Sequence, residues 1–329
     1  MTEHEGAPVL AVDIGGTKMM AAIVSTEGRI RVSDVCPTRA NEGVTAVIGH
    51  LFALIDELLG QDITEIREFG GIGIACAGGV DTARGLITQS PNLPDWHNIP
   101  LAKMIGEKYK SDTYLVNDAS AAALGEHRFG AGVGVSNLVM VTLGTGIGGG
   151  IVINNELYLG VRGSAAEIGH MIIDINGPAC ACGSNGCLES FASGTAIARN
   201  AVNRIKLGEE SSLVNMVEGE IDRITAETVG EAAREEDILA LDVLSRAAYY
   251  LGVGLVNLVN IFNPEMIVLG GGLTGILEFL MEPARRVVDA RAFKIAAETV
   301  ELAEAQLGND AGVYGAAAYV FDRIERRQE

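Results

Sequence analysis

The sequence predicts an α/β fold organised in two lobes. The chain has 329 residues, more than a single hydrophobic core usually organises, which favours two lobes. Strand-like apolar runs that stop at glycine turns recur in residues 9–24 and 137–153, and amphipathic helical stretches separate them. We expect one lobe at residues 1–118 and a larger one at 119–311, with the C-terminal helix, about residues 312–329, packed back on the first.

Composition and charge restrict the class of protein. The net charge of −19 argues against a nucleic-acid surface, which needs basic patches. The polar residues 1–8 do not resemble a secretory signal, and the lack of an apolar stretch of about 18 residues predicts no membrane span. Three of the five cysteines are clustered, which indicates a metal site in a reducing compartment, with Cys36 and Cys76 as buried thiols. We therefore expect a cytoplasmic protein that binds neither nucleic acid nor membranes.

The first glycine loop, Gly15–Lys18, joins two apolar runs with no room for a helix, so residues 9–24 predict strand–turn–strand. Glycines at such a tip let backbone N–H groups converge on an anion, and Thr17 and Lys18 add donors. Asp13 at the strand end is a candidate to hold a hydrated Mg²⁺ near the same phosphates. An ordinary hairpin with a Gly-Gly turn explains these residues equally well.

Other elements of the first lobe follow from hydrophobic periodicity. A polar loop at Ser90–Trp96 carries Asn92, which is either part of a plain connector or an amide that contacts a hydroxylated ligand. The predicted helix is Gly43–Leu59, and the predicted strands are Arg29–Pro37, Phe69–Ala77 and Thr113–Val116.

Asn117 and Asp118 stand between a strand and a predicted helix, Ala119–His127. Both residue types are favoured helix caps, so capping is one interpretation. The other is that Asp118 is a general base, because a carboxylate at the carboxyl end of a strand can reach a substrate hydroxyl. Nothing in the local sequence decides between these interpretations.

The second glycine loop, Gly144–Gly150, follows a predicted strand at Asn137–Leu143 and matches G-x-G-x-x-G. A dinucleotide-binding motif needs a helix after these glycines, whereas Ile151–Ile153 continues as a strand. The segment therefore repeats the strand–glycine loop–strand pattern of residues 9–24. One phosphate-type hairpin in each lobe indicates a duplicated architecture that holds a nucleotide phosphate tail.

A cluster of soft ligands follows the second glycine loop. One histidine and three cysteines are the number and type of ligands that a tetrahedral structural Zn²⁺ takes. Glu167 and Glu189 bracket this cluster and are not needed as further ligands. We expect the metal to stiffen the loop so that both glutamates and the histidine face a small polar ligand. The four metal-ligand candidates are His170, Cys180, Cys182 and Cys187.

The rest of the chain is predicted to be mainly helical. Gly270–Gly272 ends a predicted strand and either turns the chain or lies against an adenine or a ribose. The acid-rich residues 209–236 predict surface helices and loops. The remaining elements are helices at Phe191–Leu207, Ile238–Ile261, Leu273–Arg291 and Gly312–Arg326, and a strand at Glu265–Leu269.

Taken together, these motifs resemble the ROK family of sugar kinases and repressors. The resemblance runs from about residue 9 to the C-terminal helix. It implies an α/β, two-lobed actin-like ATPase (ribonuclease H-like) fold with a cleft between the lobes and a zinc-binding loop. The residues that carry it are Asp13–Lys18, Asn117-Asp118, Leu143–Gly150, Glu167-x-x-His170 and the Cys180-x-Cys182-x₄-Cys187-x-Glu189 run.

The resemblance also implies a role for each position. Asp118 would be the catalytic base that takes a proton from the sugar hydroxyl, with Asn117 beside it. The metal would be bound by the cluster described above, so that His170 serves both metal and sugar. The nucleotide and its phosphates would be bound by Asp13, Gly15, Gly16, Thr17, Lys18, Thr145, Gly146 and Gly271. The sugar would be bound by Asn92, Asn117, Asp118, Glu167, His170 and Glu189.

The function implied is an ATP-dependent hexose kinase that makes glucose 6-phosphate, with Mg²⁺ and a structural Zn²⁺. Kinases of N-acetylmannosamine or fructose carry similar motifs, and polyphosphate is an alternative donor. A sugar-responsive repressor needs a basic helix-turn-helix segment, for which the 12 residues before Asp13 leave no room. Two further alternatives, a non-catalytic sugar sensor and an actin-like filament protein, fit the phosphate loops and zinc loop less well. The family also implies a homo-oligomer, a dimer or a tetramer.

Overall fold

The computed structural model describes residues 6–61, 69–90 and 92–328. Residues 1–5, which belong to the polar N-terminal stretch, and Pro91 of the predicted loop lie outside these ranges. Two compact units are present. Within the described ranges, unit 1 comprises the residues up to Gly134, then Gly150–Ala166, and those from Gln306 onward. Unit 2 comprises Val135–Gly149 and Glu167–Ala305.

The main sheet of unit 1 has five strands in the order β3-β2-β1-β4-β8. β1 and β2 form the predicted hairpin, and β1, β4 and β8 run parallel. The register pairs Asp13 with Ala75 and Cys76 with Asn117. The carboxyl ends of three parallel strands therefore meet at one edge of the sheet. The strands are β1 Val9–Ile14, β2 Lys18–Val24, β3 Ile30–Pro37, β4 Ile72–Cys76 and β8 Thr113–Asn117.

Helices cover both faces of this sheet because its central strands alternate two sets of buried side chains. Leu10 and Ile14 of β1 pack in a core with α1 (Val44–Gly60). Val9 and Ala11 point to the opposite face and pack in a second core with α3 (Asp118–Phe129) and α11 (Ala311–Gln328).

A small three-stranded sheet and one helix of unit 1 were not predicted. β5 (Gly79–Asp81), β6 (Leu86–Gln89) and β7 (His97–Ile99) are too short for periodicity to reveal them. The helix α2 (Leu101–Tyr109) follows β7 directly. Trp96, in the loop before β7, is buried in the core with α1.

The second sheet has the order β11-β10-β9-β12-β13. The predicted second hairpin is present, but its second strand begins at Ile147, inside the glycine run, because glycines can continue a strand once the turn is complete. The chain passes from unit 2 to unit 1 within this strand, after Gly149. The strands are β9 Leu138–Leu143, β10 Ile147–Ile153, β11 Glu156–Leu157, β12 Met266–Gly270 and β13 Glu301–Glu304.

Unit 2 is otherwise helical. The predicted helix Phe191–Leu207 is in fact two helices, because Ser193 takes an extended conformation and caps the second one through its side chain. The acid-rich stretch forms two helices, as its composition suggested. The helices are α4 Glu189–Ala192, α5 Gly194–Lys206, α6 Leu213–Met216, α7 Ala226–Arg234, α8 Ile238–Phe262, α9 Leu277–Arg291 and α10 Lys294–Thr299.

α8 is the one helix of the described residues that is long and apolar enough to cross a membrane. More than half of its most apolar window is buried inside the protein. It packs extensively on α9. This is the behaviour of a core helix.

The packing units do not coincide with the predicted lobe boundary at residues 118/119. The helix α3 belongs to unit 1, because its Ala121 and Leu124 pack in the same core as Val313 of α11. α11 itself packs on β1 and β4.

The helices α3 and α11 pack closely against each other at Gly315. A methyl group at this position would overlap the carbonyl oxygen of Ala121 in α3. We expect Gly315→Ala to lower the free energy of unfolding by about 1–3 kcal/mol, as overpacking a core does. Gly49 in α1 is the matched control, because a methyl there would meet nothing within 4 Å. Gly49→Ala should leave stability unchanged or raise it by up to about 1 kcal/mol. Equal urea-denaturation midpoints for the two variants would contradict the close packing.

Candidate active site

The first glycine loop is a tight turn closed by a hydrogen bond from the N–H of Gly15 to the carbonyl of Lys18, at 3.0 Å. The buried Thr38, which the sequence did not single out, braces the loop. Its hydroxyl donates to the carbonyl of Gly15 at 2.7 Å, and its N–H donates to the carbonyl of Thr17 at 2.9 Å. Thr17 and Lys18 remain exposed at the tip.

Asn92 lies against this loop. A methyl group on Gly16 would be 2.9 Å from the Cβ atom of Asn92, so the absence of a side chain lets the two segments meet. The exposed Asn92 amide thus belongs to the surroundings of the first glycine loop. Its predicted contact with the sugar stays a prediction.

Asp13 is a buried carboxyl group at the end of β1. It packs against the first turn of α11, where a methyl group on Gly312 would be 2.5 Å from its Cγ atom. Burial and the repulsion of Asp118 raise the pKa of Asp13 to about 7, and Lys18 opposes the rise. A carboxylate in this position is stabilised by a cation. Gly312, a glycine at the start of a helix, is a second residue that the sequence did not reveal.

Asp118 is the first residue of α3, and Asn117 is its N-cap. The side-chain oxygen of Asn117 accepts from the N–H groups of Ala119 at 3.0 Å and Ser120 at 3.1 Å. Its side-chain nitrogen donates to the carbonyl of Gly78 at 3.0 Å and to Oδ1 of Asp118 at 2.8 Å. All hydrogen bonds that this amide can make are therefore used, and it fixes the orientation of Asp118.

The two interpretations of Asn117-Asp118 therefore separate. Asn117 is the cap, and Asp118 is left as a candidate base. Burial raises the pKa of Asp118 above its ordinary value, although the N–H of Ala119 and the Asn117 amide stabilise the carboxylate. A raised pKa suits a group that must accept a proton. The predicted sugar contact of Asn117 stays a prediction.

The second glycine loop is held by a carboxylate in unit 2. Its turn closes through the N–H of Gly144, which donates to the carbonyl of Gly146 at 2.9 Å. Oε2 of Glu189, at the start of α4, accepts from the N–H of Ile147 at 2.9 Å. A methyl group on Gly146 would overlap the same oxygen. The carboxylate thus lies directly on the loop, and its Oε1 atom is 4.0 Å from Sγ of Cys180.

Glu167 and His170 lie on either side of a short 3₁₀ turn that packs on the start of β10. A methyl group on Gly169 would overlap the carbonyl oxygen of Ile147, so only glycine fits between the turn and the strand. Glu167 and His170 are exposed, and the N–H of His170 donates to the carbonyl of Glu167 at 3.0 Å. Glu167, His170 and Glu189 are thus grouped around the first residue of β10.

The predicted metal ligands converge. The four ligand atoms of His170, Cys180, Cys182 and Cys187 all lie within 4.8 Å of one another. Sγ of Cys180 is 3.7 Å from Nδ1 of His170, and Sγ of Cys182 is 3.7 Å from Sγ of Cys187. Two sulfurs bound to one Zn²⁺ at about 2.3 Å in a tetrahedron are about 3.8 Å apart.

The chemistry of this group fits a cation. Burial and the neighbouring cysteines raise the pKa of Cys187, so a thiolate at that position needs a positive charge beside it. None of the five cysteines forms a disulfide. Cys76 is buried as predicted, whereas Cys36 is only half-buried, because it lies on the edge strand β3.

Backbone hydrogen bonds shape the loop that carries the metal-ligand candidates. The N–H of Ile173 donates to the carbonyl of Gly186 at 2.9 Å, and the N–H of Cys180 donates to the carbonyl of Ser184 at 2.8 Å. Gly186 has φ +71°, and a side chain there would overlap the carbonyl of Asp174. Glycine is therefore required directly before Cys187.

Gly271 lies beside the second glycine loop, as its predicted role requires. It has φ +96°, and a methyl group there would be 2.6 Å from the carbonyl oxygen of Leu143. A cavity of about 530 Å³ opens in unit 2 next to this contact, and Thr145 lines it. Thr195, near the start of α5, also lines it and donates through its hydroxyl to the carbonyl of Thr145 at 2.8 Å.

Each unit therefore groups its own candidate residues. Unit 1 contains the residues predicted for the first phosphate loop and the base, together with Asn92 and Asn117 of the predicted sugar ligands. Unit 2 contains those for the second loop and the metal, together with the sugar ligands Glu167, His170 and Glu189. Periodicity did not reveal the residues that hold these groups in place. The weak signals that they leave are a threonine directly after a strand, Thr38, a threonine at a helix start, Thr195, and glycines in short helical turns or at helix starts, Gly169 and Gly312.

Comparison with known proteins matches residues 9–323 to the model of the ROK family. A glucokinase of Thermotoga maritima is 37% identical over 316 residues, which cover 96% of this chain and 98% of that protein. A xylose repressor of Caldicellulosiruptor bescii is 31% identical over 95% of this chain and 78% of that protein.

Among solved structures, a ROK family glucokinase from Streptomyces griseus, in complex with glucose and AMPPNP, is similar with a TM-score of 0.78. It is 34% identical, and the match covers 96% of this chain and 99% of that one. This likeness and the two mixed sheets confirm the predicted α/β, actin-like ATPase fold class. The chain belongs to the ROK family.

Proposed function

We propose that this protein is an ATP-dependent hexose kinase with glucose as its preferred substrate and glucose 6-phosphate as its product. The similar proteins named glucokinase, which match this chain over almost its full length, support the reaction and the sugar. The glucose and AMPPNP in the S. griseus structure support the two substrates. N-acetylmannosamine and fructose remain alternative sugars, and polyphosphate an alternative donor.

The observation that carries the proposal is the environment of Asp118. It is a buried carboxylate at the carboxyl end of β8, oriented by the Asn117 amide at 2.8 Å. Its raised pKa makes it a stronger base than an exposed aspartate. Asp118 accepts the proton of the attacking sugar hydroxyl, and general base catalysis of this kind contributes about 10²–10⁴-fold.

The glycine loops supply the phosphate contacts. Phosphoryl transfer depends on positioning and on neutralising charge, which backbone N–H groups and Lys18 provide. Asp13 is the group that would hold Mg²⁺, because its buried carboxylate lies beside a second carboxylate and lacks a full counter-charge. Mg²⁺ would neutralise charge on the phosphates. The cavity beside Thr145 and Gly271 has the volume of a small-ligand site and is assigned to adenosine.

Glu167, His170 and Glu189 hold the other hydroxyls of the sugar. Carboxylates accept hydrogen bonds from hydroxyl groups, and a metal-bound imidazole keeps its second ring nitrogen as a donor. Nδ1 of His170 faces the cysteines, so Nε2 is the atom left for the sugar. A structural Zn²⁺ bound by His170 and the three cysteines would keep this imidazole and the start of α4 in place.

A sugar-responsive repressor is the second candidate, and the xylose repressor relative favours it. The net charge of −19 disfavours a nucleic-acid partner. We further propose that the protein acts in the cytoplasm, without membrane or nucleic acid, as a homodimer or homotetramer. A coupled ADP-release assay with a panel of hexoses separates the kinase from the repressor and ranks the sugars.

Asp118→Asn tests the base. We expect kcat with glucose to fall by about 10²–10⁴-fold, because the amide cannot accept the hydroxyl proton. The KM for ATP should change little. Asp112→Asn is the matched control, since Asp112 is exposed in unit 1 and pairs with Arg327 at the surface. It should retain kcat within about twofold, as surface substitutions usually do. An Asp118→Asn variant that keeps most of its activity would refute the mechanism.

The pH dependence of kcat/KM tests the raised pKa. Asp118 acts only when ionised, so kcat/KM should fall as the pH decreases through a pKa above the ordinary aspartate value of 3.8. Asn117→Ala removes a donor that stabilises the carboxylate, and should move this acidic limb to higher pH. An acidic limb at or below the ordinary value would contradict the burial of the base.

Cys182→Ser tests the link between metal and sugar. We expect zinc content to fall well below one atom per chain and the KM for glucose to rise, because His170 and Glu189 lose their support. Cys36→Ser is the matched control, since this thiol on β3 lies outside the cluster. It should keep both zinc and KM. If Cys182→Ser loses zinc but keeps its KM, the metal does not support the sugar site.

A further inference from the structure

Glu126 is a buried carboxylate that none of the proposed steps uses. It lies on α3, and its side chain has no exposed surface. Its Oε2 atom accepts from the N–H of Ala131 at 2.9 Å and from the N–H of Gln306 at 3.1 Å. Its Oε1 atom accepts from the N–H of Leu307 at 2.8 Å. Three backbone donors thus compensate the cost of burying this group.

These three donors lie where the chain changes units. The chain crosses between the units four times; it first leaves unit 1 after Gly134 and makes its last return at Gln306. The main-chain carbonyl of Glu126 accepts further hydrogen bonds from the N–H groups of Gly130 at 3.1 Å and Gly132 at 2.9 Å. A methyl group on Gly130 would overlap Oε2, so glycine is required for this close approach.

On the unit 2 side, other groups hold the same two crossings. Oε2 of Glu265 accepts from the N–H groups of Ser136 and Asn137, both at 2.8 Å. The N–H of Ala305 donates to the carbonyl of Leu269 at 2.9 Å. The N–H of Ala305 is therefore bound in unit 2 and the N–H of Gln306 in unit 1. The last crossing thus takes place within the single peptide link that joins these two residues.

Glu126 also shares a rigid helix with the proposed base. Asp118 is eight residues away on α3, about 12 Å along a helix that rises 1.5 Å per residue. Gly125, beside Glu126, approaches α11 so closely that a methyl group would be 2.8 Å from the carbonyl oxygen of Ala311. α3 is therefore fixed along its length.

We propose that Glu126 is a positioning residue that fastens the first and the last of the four chain crossings to the helix that begins with Asp118. If the direction of the chain changes at either crossing, the hydrogen bonds of Glu126 transmit the change to α3 and therefore to Asp118, the proposed base. The fastening does not depend on the reaction. Its effect on turnover rests on the proposed kinase activity.

Hydrogen exchange of the wild-type protein tests the fastening. The amides of Ala131, Gln306 and Leu307 lie outside the long helices and strands, yet should exchange as slowly as those of α3, because they belong to the same buried unit. Exchange at the rate of exposed loop amides would overturn the proposal. This experiment needs neither a variant nor enzyme activity, so its result does not depend on the proposed kinase activity.

Glu126→Gln weakens the fastening with little change in shape, because its NH₂ group faces backbone donors. We expect exchange at Ala131 and at Gln306–Leu307 to accelerate at least tenfold, with Ser136 and Asn137 unchanged. Glu265→Gln is the matched control, because Glu265 is an exposed carboxylate that binds the chain in unit 2. This substitution should leave the exchange rate of the Gln306 amide unchanged. Acceleration spread evenly over all of unit 1 would overturn the local role. If the variant does not fold, Gly130→Ala displaces the same carboxylate without removing it.

Steady-state kinetics distinguish a positioning role of Glu126 from a purely structural one. In folded Glu126→Gln protein with wild-type zinc content, we expect kcat to fall at least tenfold while the KM for ATP changes less than threefold. Glu265→Gln should keep kcat within twofold. Wild-type kcat in a Glu126→Gln protein whose amides have loosened would overturn the positioning role. If the wild-type protein has no kinase activity, the proposed function is wrong, but the conclusion from hydrogen exchange still holds.

Discussion

Two carboxylates, Asp13 and Asp118, meet at one edge of the unit 1 sheet, and the repulsion between them constrains what that edge can bind. Three parallel strands end together, so the polar residues that follow them share one place. Burial raises the pKa of both groups, and Asp118 raises that of Asp13 further. Such a pair costs stability on its own, which a cation and phosphate-binding loop would offset. The arrangement is reasonable for a site that acts on a charged ligand.

In unit 2 the carboxylate of Glu189 is stabilised by a backbone donor, whereas Asp13 in unit 1 is repelled by a second carboxylate. Glu189 is satisfied by the N–H of Ile147, and the first turn of α4 fixes its backbone. The metal-ligand loop precedes it directly, and Cys187 is only two residues away. Stiffening that loop therefore fixes the position of a carboxylate on the second glycine loop. A structural metal can influence the binding of small molecules in this way without contacting the phosphates.

The sequence predicted the elements whose signals are local. Both hairpins, the helices α1, α3, α8 and α11, and the metal-ligand group follow from periodicity, glycine turns and cysteine spacing. It could not predict that Asn117 caps α3 with its whole amide, since capping and substrate contact use the same residue type. Nor could it reveal the role of Glu126, because two of the three backbone donors to its carboxylate are about 180 residues away along the chain. Such long-range hydrogen bonds leave no periodic signal.

The contact of Glu189 with the second glycine loop has a consequence for how two ligands would bind. One oxygen of this carboxylate lies on the loop assigned to phosphates, and the other faces Cys180 of the metal-ligand group and is assigned to a sugar hydroxyl. If both assignments hold, each ligand orders a group that the other also needs. Thermodynamic linkage then requires that sugar and nucleotide raise each other's affinity by the same factor. A single side chain would make the two occupancies cooperative.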